Sequence, residues 1–203
     1  MYALRVEQKE PDDEDQHVVL RGTFADFETM LAIRGDDAGV RMYYLDGEIE
    51  LMSPARVHEN RKTTLARLLE TWATEHDIDL NGFGSWTLKQ SRKDAGAEPD
   101  ECYILGSPDD REGPDLVIEV EWSRSLGLAK HEIYRRLGVR ELWTLRRDKS
   151  LLIRSLRDEQ WVETEQSTLL PSLDLRSLLA FADIEPQSKA VRALLDALRV
   201  APR

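Results

Sequence analysis

Leu116-Val117-Ile118-Glu119-Val120-Glu121 is an aliphatic run with an acid set inside it. So nearly unbroken an apolar stretch reads as a strand covered on both faces. It follows a loop rich in Pro, Gly and Asp. After it comes a helical pattern at about Leu126–Leu137, with Ile133, Tyr134 and Leu137 on one side and Gly138 placed to cap its end. The next apolar segment, Glu141–Leu145, is again strand-like. A strand, a helix and a strand in this order imply an α/β or α+β domain built on a mixed sheet.

The flanking sequence extends this pattern. Val40–Asp46 and Glu48–Met52 are strand formers separated by Asp46-Gly47, a dipeptide suited to a tight hairpin turn. Ser53-Pro54 ends that hairpin. From Val57 to His76, Leu65, Leu68, Leu69 and Trp72 recur at helical spacing, and His58, Arg61, Lys62 and Glu70 form the polar side. A short helix is expected over Thr23–Arg34, and strands near Ser85–Gln90 and at Asp100–Leu105, Leu151–Leu156 and Trp161–Thr164. Two helices close the chain, near Leu175–Phe181 and Ser188–Val200. Residues 7–16 are polar and acidic and read as a mobile loop. The expected organisation is an N-terminal extension over 1–22 and a single domain over 23–203.

Hydrophobic residues make up 41% and charged residues 33% of the 203, enough for a core under a heavily charged surface. No apolar run approaches membrane-spanning length, and the first residues lack the apolar stretch of a secretory signal. The lone cysteine, Cys102, allows neither an intramolecular disulfide nor a thiolate zinc cage, which suits a reducing cytoplasm. The net charge of −11 argues mildly against a phosphate-gripping surface. A bound divalent ion would change the sign of a carboxylate-rich cleft.

Three charged residues stand out. Glu119 interrupts the most hydrophobic strand, where a carboxylate is costly unless paired, hydrogen-bonded or bound to metal. Asp100 opens the preceding strand after Pro99. Lys130 lies on the following helix, which could carry its amine back to the sheet. Two hard oxygen ligands for Mg²⁺ or Mn²⁺ and an amine form a toolkit for phosphodiester hydrolysis. A structural ion pair would have the same spacing. Asp115 also follows a proline, but it lies four residues from Glu119 on the same strand, roughly 13 Å when extended, too far to share one ion.

The stretch Tyr44-Leu45-Asp46-Gly47-Glu48-Ile49-Glu50-Leu51-Met52-Ser53-Pro54, followed by His58, resembles the opening signature of the Uma2 (DUF820) family. Glu98-Pro99-Asp100-Glu101-Cys102-Tyr103 and Pro114-Asp115-Leu116-Val117-Ile118-Glu119-Val120 are similar to its second and third blocks. The run from Lys130 to Trp143 is similar to its last block. The resemblance covers about residues 40–180 and implies a PD-(D/E)XK nuclease-like fold, a restriction-endonuclease-like mixed sheet flanked by helices with an N-terminal hairpin and C-terminal helices. It implies that Asp100 and Glu119 are metal ligands and that Lys130 replaces the lysine normally found two residues after the strand acid. Glu121 occupies that position here, either as a third carboxylate for the metal or as a partner of Lys130. Glu48 matches the family's Asp-Gly-Glu and is a candidate fourth acid. His58 is a candidate for contacting phosphate or holding one of the acids.

Trp72, Trp143 and Tyr134 sit in apolar patterns and read as core, whereas Trp122 is a candidate cleft residue. Arg135-Arg136 and Arg146-Arg147 read as solvated or DNA-facing. The leading expectation is an Mg²⁺- or Mn²⁺-dependent endonuclease acting on DNA as a cytoplasmic homodimer, without a membrane partner. The competing expectation is an inactive nuclease fold whose acidic surface serves protein assembly. A glycosidase dyad ranks last, for want of aromatic cleft walls.

Overall fold

The computed structural model describes residues 3–6, 14–35, 39–109, 111–123 and 127–200. In chain order the elements are β1 (Ala3–Val6), β2 (Gln16–Arg21), α1 (Phe24–Arg34), β3 (Arg41–Leu45), β4 (Glu48–Ser53), α2 (Arg56–Glu75), β5 (Leu80–Gly82), β6 (Leu88–Gln90), β7 (Ala95–Ala97), β8 (Glu101–Leu105), β9 (Leu116–Glu121), α3 (Lys130–Leu137), β10 (Glu141–Arg146), β11 (Leu151–Arg157), β12 (Gln160–Thr164), α4 (Leu175–Phe181) and α5 (Gln187–Val200). This is the mixed α+β architecture expected from the pattern. The strands, however, divide between two six-stranded sheets, ordered β1-β2-β4-β3-β7-β6 and β12-β11-β10-β9-β8-β5.

Local chemistry accounts for the joints. Asp46 and Gly47 take φ values of 48° and 85°, the left-handed pair of a type I′ hairpin between β3 and β4. Thr23 caps α1 in a reciprocal capping box with Asp26. Gly138 ends α3 at φ 80°. Parallel strands need a long crossover. The parallel β9–β10 pair has α3 in that connection.

Strand alternation sorts β9 between two cores. Leu116, Ile118 and Val120 pack with Leu65, Leu68, Leu69 and Trp72 of α2 and with Leu178 and Leu194 of the C-terminal helices. Val117 points the other way, into a cluster with Tyr43 of β3, Ile133 and Tyr134 of α3, and Leu142 of β10. Glu119 is on that second side by the same period of two. A third cluster joins Phe27 of α1 to Met42, Tyr44 and Ile49.

Several boundaries differ from the sequence reading. Gln16–Arg21, inside the stretch read as an extension, is strand β2 and pairs with β4 from Gln16↔Ser53 to Arg21↔Glu48. Of the expected loop over 7–16, residues 7–13 lie outside the described residues. The expected helix from Leu126 begins instead at Lys130, and Leu126 itself lies outside the described residues. Short strands β5 and β7 were not anticipated. Ala95-Gly96-Ala97 has little strand propensity, but Phe27 covers it so closely that a Cβ on Gly96 would lie 2.5 Å from the ring. No helix among the described residues is long and apolar enough to cross a membrane.

Candidate active site

Asp100 immediately precedes β8, and the β8–β9 register runs Glu101↔Ile118, Cys102↔Val117, Tyr103↔Leu116. Continued by one residue, this antiparallel pairing sets Asp100 opposite Glu119, with both side chains on the α3 side of the sheet. Asp100 Oδ2 accepts a 2.7 Å hydrogen bond from the backbone N–H of Val120, which ties the first acid to the strand carrying the second. Both carboxylates are buried.

Lys130 is the first residue of α3, and its Nζ donates to Glu119 Oε2 at 2.7 Å. The same ammonium stands 4.0 Å from the centroid of the Tyr43 ring, a cation–π contact. Tyr134, one helical turn after Lys130, donates its hydroxyl to Glu119 Oε1. The Tyr43 hydroxyl is a weaker donor to Oε2, at 3.5 Å.

Asp100 has its own cations. Arg41 Nε lies 3.1 Å and His58 Nε2 2.9 Å from Oδ1. Neither approaches along a good hydrogen-bond direction, so these are charge contacts and Oδ1 makes no aligned hydrogen bond. Arg41 donates outward to Glu59 Oε1 at 2.7 Å. His58 Nδ1 pairs at 3.0 Å with Asp15, whose other oxygen accepts from the N-cap amide of α2, Ala55 N, at 2.8 Å.

Burial and charge set the proton affinities. Burial alone would favour a neutral Asp100, but His58, then Arg41 and Lys130, outweigh it and hold the carboxyl well below its ordinary range. For Glu119, burial is the largest influence and raises the pKa; the Asp100 charge adds to the rise and Lys130 opposes it. Burial works against a charged His58, yet Asp100 and Asp15 overcome it and raise the imidazole to about 9. Burial likewise works against a charged Lys130, but Glu119, Tyr43, Asp100 and Glu50 together outweigh it and raise the amine well above its ordinary range.

The structure thus brings Asp100, Glu119, Lys130 and His58 together. Glu121 lies on the same side of β9 but is exposed, and its charge is felt by Arg154. Lys130 pairs with Glu119. Glu48 is half-buried and sits opposite Leu45, toward the hairpin turn. Two residues further on, Glu50 sits opposite Tyr43, buried within reach of Lys130's charge. Arg41, Tyr43, Glu50, Asp15 and His17 escaped the sequence reading. Tyr134 is core, as its apolar pattern implies, and its spacing of four from Lys130 is a signal for the second role, its contact with Glu119. Asp115 is buried elsewhere, bound to Arg111, Arg140 and Leu105 N. Arg135 pairs with Glu132, and Arg136 with both Glu132 and Asp46.

A cleft of about 420 Å³ opens beside the cluster, with Lys130, Glu50, Glu121 and Trp122 in its lining. No group of three or more His, Cys, Asp and Glu among the described residues could hold a metal by itself. Two carboxylates with one oxygen free of aligned hydrogen bonds do suit a hard cation that keeps water and substrate as further ligands.

A solved structure described as a "putative nuclease belonging to DUF820", from Anabaena variabilis ATCC 29413, shares the fold with a TM-score of 0.52. It is 16% identical, and the match covers 70% of this chain and 90% of that one. Comparison with curated proteins gives no match. The Uma2 family model, described as "Putative restriction endonuclease", matches residues 24–186. Matched over most of its length, the chain belongs to the Uma2 family.

Proposed function

We propose that the protein is a divalent-metal-dependent endonuclease that hydrolyses phosphodiester bonds in DNA. One observation carries this reading: Asp100 Oδ2 is bound at 2.7 Å to the amide of Val120, next to Glu119, and Lys130 Nζ stands 2.7 Å from Glu119 Oε2. Asp100 and Glu119 would hold Mg²⁺ or Mn²⁺, Asp100 through the oxygen that makes no aligned hydrogen bond. When bound, such an ion lowers the pKa of a coordinated water and offsets charge on a phosphate oxygen.

The chain's own residues supply the rest. Lys130 keeps its proton and provides a fixed positive charge for orienting the attacking water or stabilising the transition state. Tyr134 and Tyr43 orient the Glu119 carboxylate from below. His58 and Arg41 hold Asp100 in the ionised form that a ligand requires. Glu121 and Glu48 stay outside this ligand set because neither side chain is buried with the cluster. Cutting both strands of a duplex takes two such centres, so the reading carries the expectation of a homodimer.

Incubation with supercoiled plasmid and Mg²⁺ or Mn²⁺ tests it. Nicking should be seen with the wild type and lost in Asp100→Asn and Glu119→Gln. Equal background cutting by all three proteins removes the proposal.

A second reading rests on a different observation. Both oxygens of Glu119 already accept hydrogen bonds, from Tyr134 and Lys130, and Asp100 sits between two cations. A cluster so neutralised also suits a nuclease fold kept as an acidic assembly module. That module would show no metal-stimulated cutting at any Mn²⁺ concentration.

A further inference from the structure

We propose that Glu50 is a positioning residue that seats Lys130 in the candidate active site through the backbone of Gly127 and Leu128. The geometric part stands alone; its catalytic consequence rests on the nuclease reading above.

Glu50 belongs to β4, on the sheet that does not carry the two candidate ligands, and it is fully buried. Both its oxygens are engaged. Oε1 lies 2.5 Å from His17 Nδ1 of β2, and Oε2 accepts from Leu128 N at 2.7 Å. The carboxylate thus ties β2 to the entrance of α3, and it acts through the groups it binds.

Those groups lie at the entrance to α3. Its N-cap is Ala129, which has no side chain able to cap, and no side-chain cap hydrogen bond is made there. The acceptor that settles this entrance comes from Glu50 across the inter-sheet space, where an anion also suits the positive end of the helix. Gly127 allows the approach. A Cβ there would lie 2.4 Å from Glu50 Oε1 and 2.7 Å from Oε2, so any other residue displaces either the carboxylate or the chain.

Lys130 follows two residues after the Leu128 amide. A lysine has a long flexible stem, and holding its ammonium over Tyr43 and against Glu119 requires the start of that stem to be fixed. Glu50 also sits opposite Tyr43 in the β3–β4 register, so one strand pair supplies both the latch and the ring beneath the amine. The charge of Glu50 further favours the protonated amine.

Pulse acetylation with an N-hydroxysuccinimide ester, read peptide by peptide by mass spectrometry on the metal-free full chain, tests the latch. Lys62, also largely buried and paired with Glu59 on α2, serves as internal control. Glu50→Ala should speed labelling of Lys130 by about tenfold, the effect of losing a charged hydrogen bond on a local opening, with Lys62 unchanged. Gly127→Ala should act in the same direction. Combining the two should add nothing to Glu50→Ala alone, because the clash in Gly127→Ala is with the missing carboxylate. An unchanged Lys130 rate in folded Glu50→Ala, or effects that multiply in the combined protein, overturns the proposal. Should Glu50→Ala fail to fold, Glu50→Gln keeps the size and one acceptor. A smaller rise at Lys130 alone then supports the latch, and no rise refutes it. Because labelling uses neither metal nor DNA, its failure leaves the nuclease reading standing, and absent nicking leaves the latch standing.

Discussion

Asp100, immediately before β8, meets Glu119 of β9 where its Oδ2 is bound to the amide of Val120, the residue immediately after Glu119. Two buried carboxylates so placed repel one another, and the fold answers with Arg41 and His58 beside the first and Lys130 beside the second. Charge balance in this cluster belongs to stability as well as to function.

Removing one member should therefore cost the whole. Asp100→Ala strands Arg41 and His58, which are 4% and 0% exposed, without their shared anion. The expected loss is about 3–5 kcal/mol of unfolding free energy, the usual penalty for breaking a buried pair from one side. Urea unfolding followed by tryptophan fluorescence measures it. A midpoint equal to the wild type's would mean that the cations find water when the acid is removed.

Stability should also fall on the alkaline side. The imidazole of His58 is raised in the folded protein from 6.5 to about 9, which corresponds to about 3 kcal/mol. A raised folded pKa gives a contribution that is complete below pH 6.5 and is lost as pH climbs through about 9. Asp100 supplies the opposite flank, since its lowered pKa stabilises above 3.8 and the contribution disappears as pH falls through the folded value. Thermal melts of the metal-free protein between pH 6 and 10 should decline, and His58→Gln should flatten the slope. A wild-type slope that survives His58→Gln would assign the titration to another group.

Glu141 gives a contrasting case. It is fully buried and accepts from Trp143 Nε1 at 2.6 Å, Ser167 Oγ at 2.5 Å and Thr168 N at 2.8 Å, which pins the segment before α4 onto β10. Glu141→Leu leaves those donors unsatisfied and should destabilise by about 3 kcal/mol or more. Manganese affinity, measured well below the melting point, should not change. A change in metal affinity without a loss of stability would move Glu141 into the functional cluster.

The contrast between Glu141 and Glu119 shows what the sequence could and could not reveal. Leu116–Glu121, the Asp46-Gly47 turn and the Gly138 cap were legible because period, propensity and positive φ are local properties. The pairing of Asp100 with Glu119 was legible because only neighbouring strands could bring both to one place. Glu50 and Glu48 share a strand face, so a period of two cannot choose between them. The choice falls to the residue opposite Tyr43, a cross-strand fact. Asp15 was hidden in the stretch that reads as polar loop over 7–16, and His17 in the extension over 1–22, where β2 becomes strand only through pairing with β4. Arg41 was hidden since its partner Asp100 lies far along the chain.

The most direct test is the binding of Mn²⁺ itself. Adding it to metal-free protein and following the signal of the free ion by electron paramagnetic resonance counts bound ions without any substrate. Saturable uptake by the wild type, lost in Asp100→Asn and in Glu119→Gln while both variants remain folded, is the expected result. Uptake that is undiminished in the two variants, or a wild type that takes up no manganese at saturation, contradicts a metal centre built on this pair.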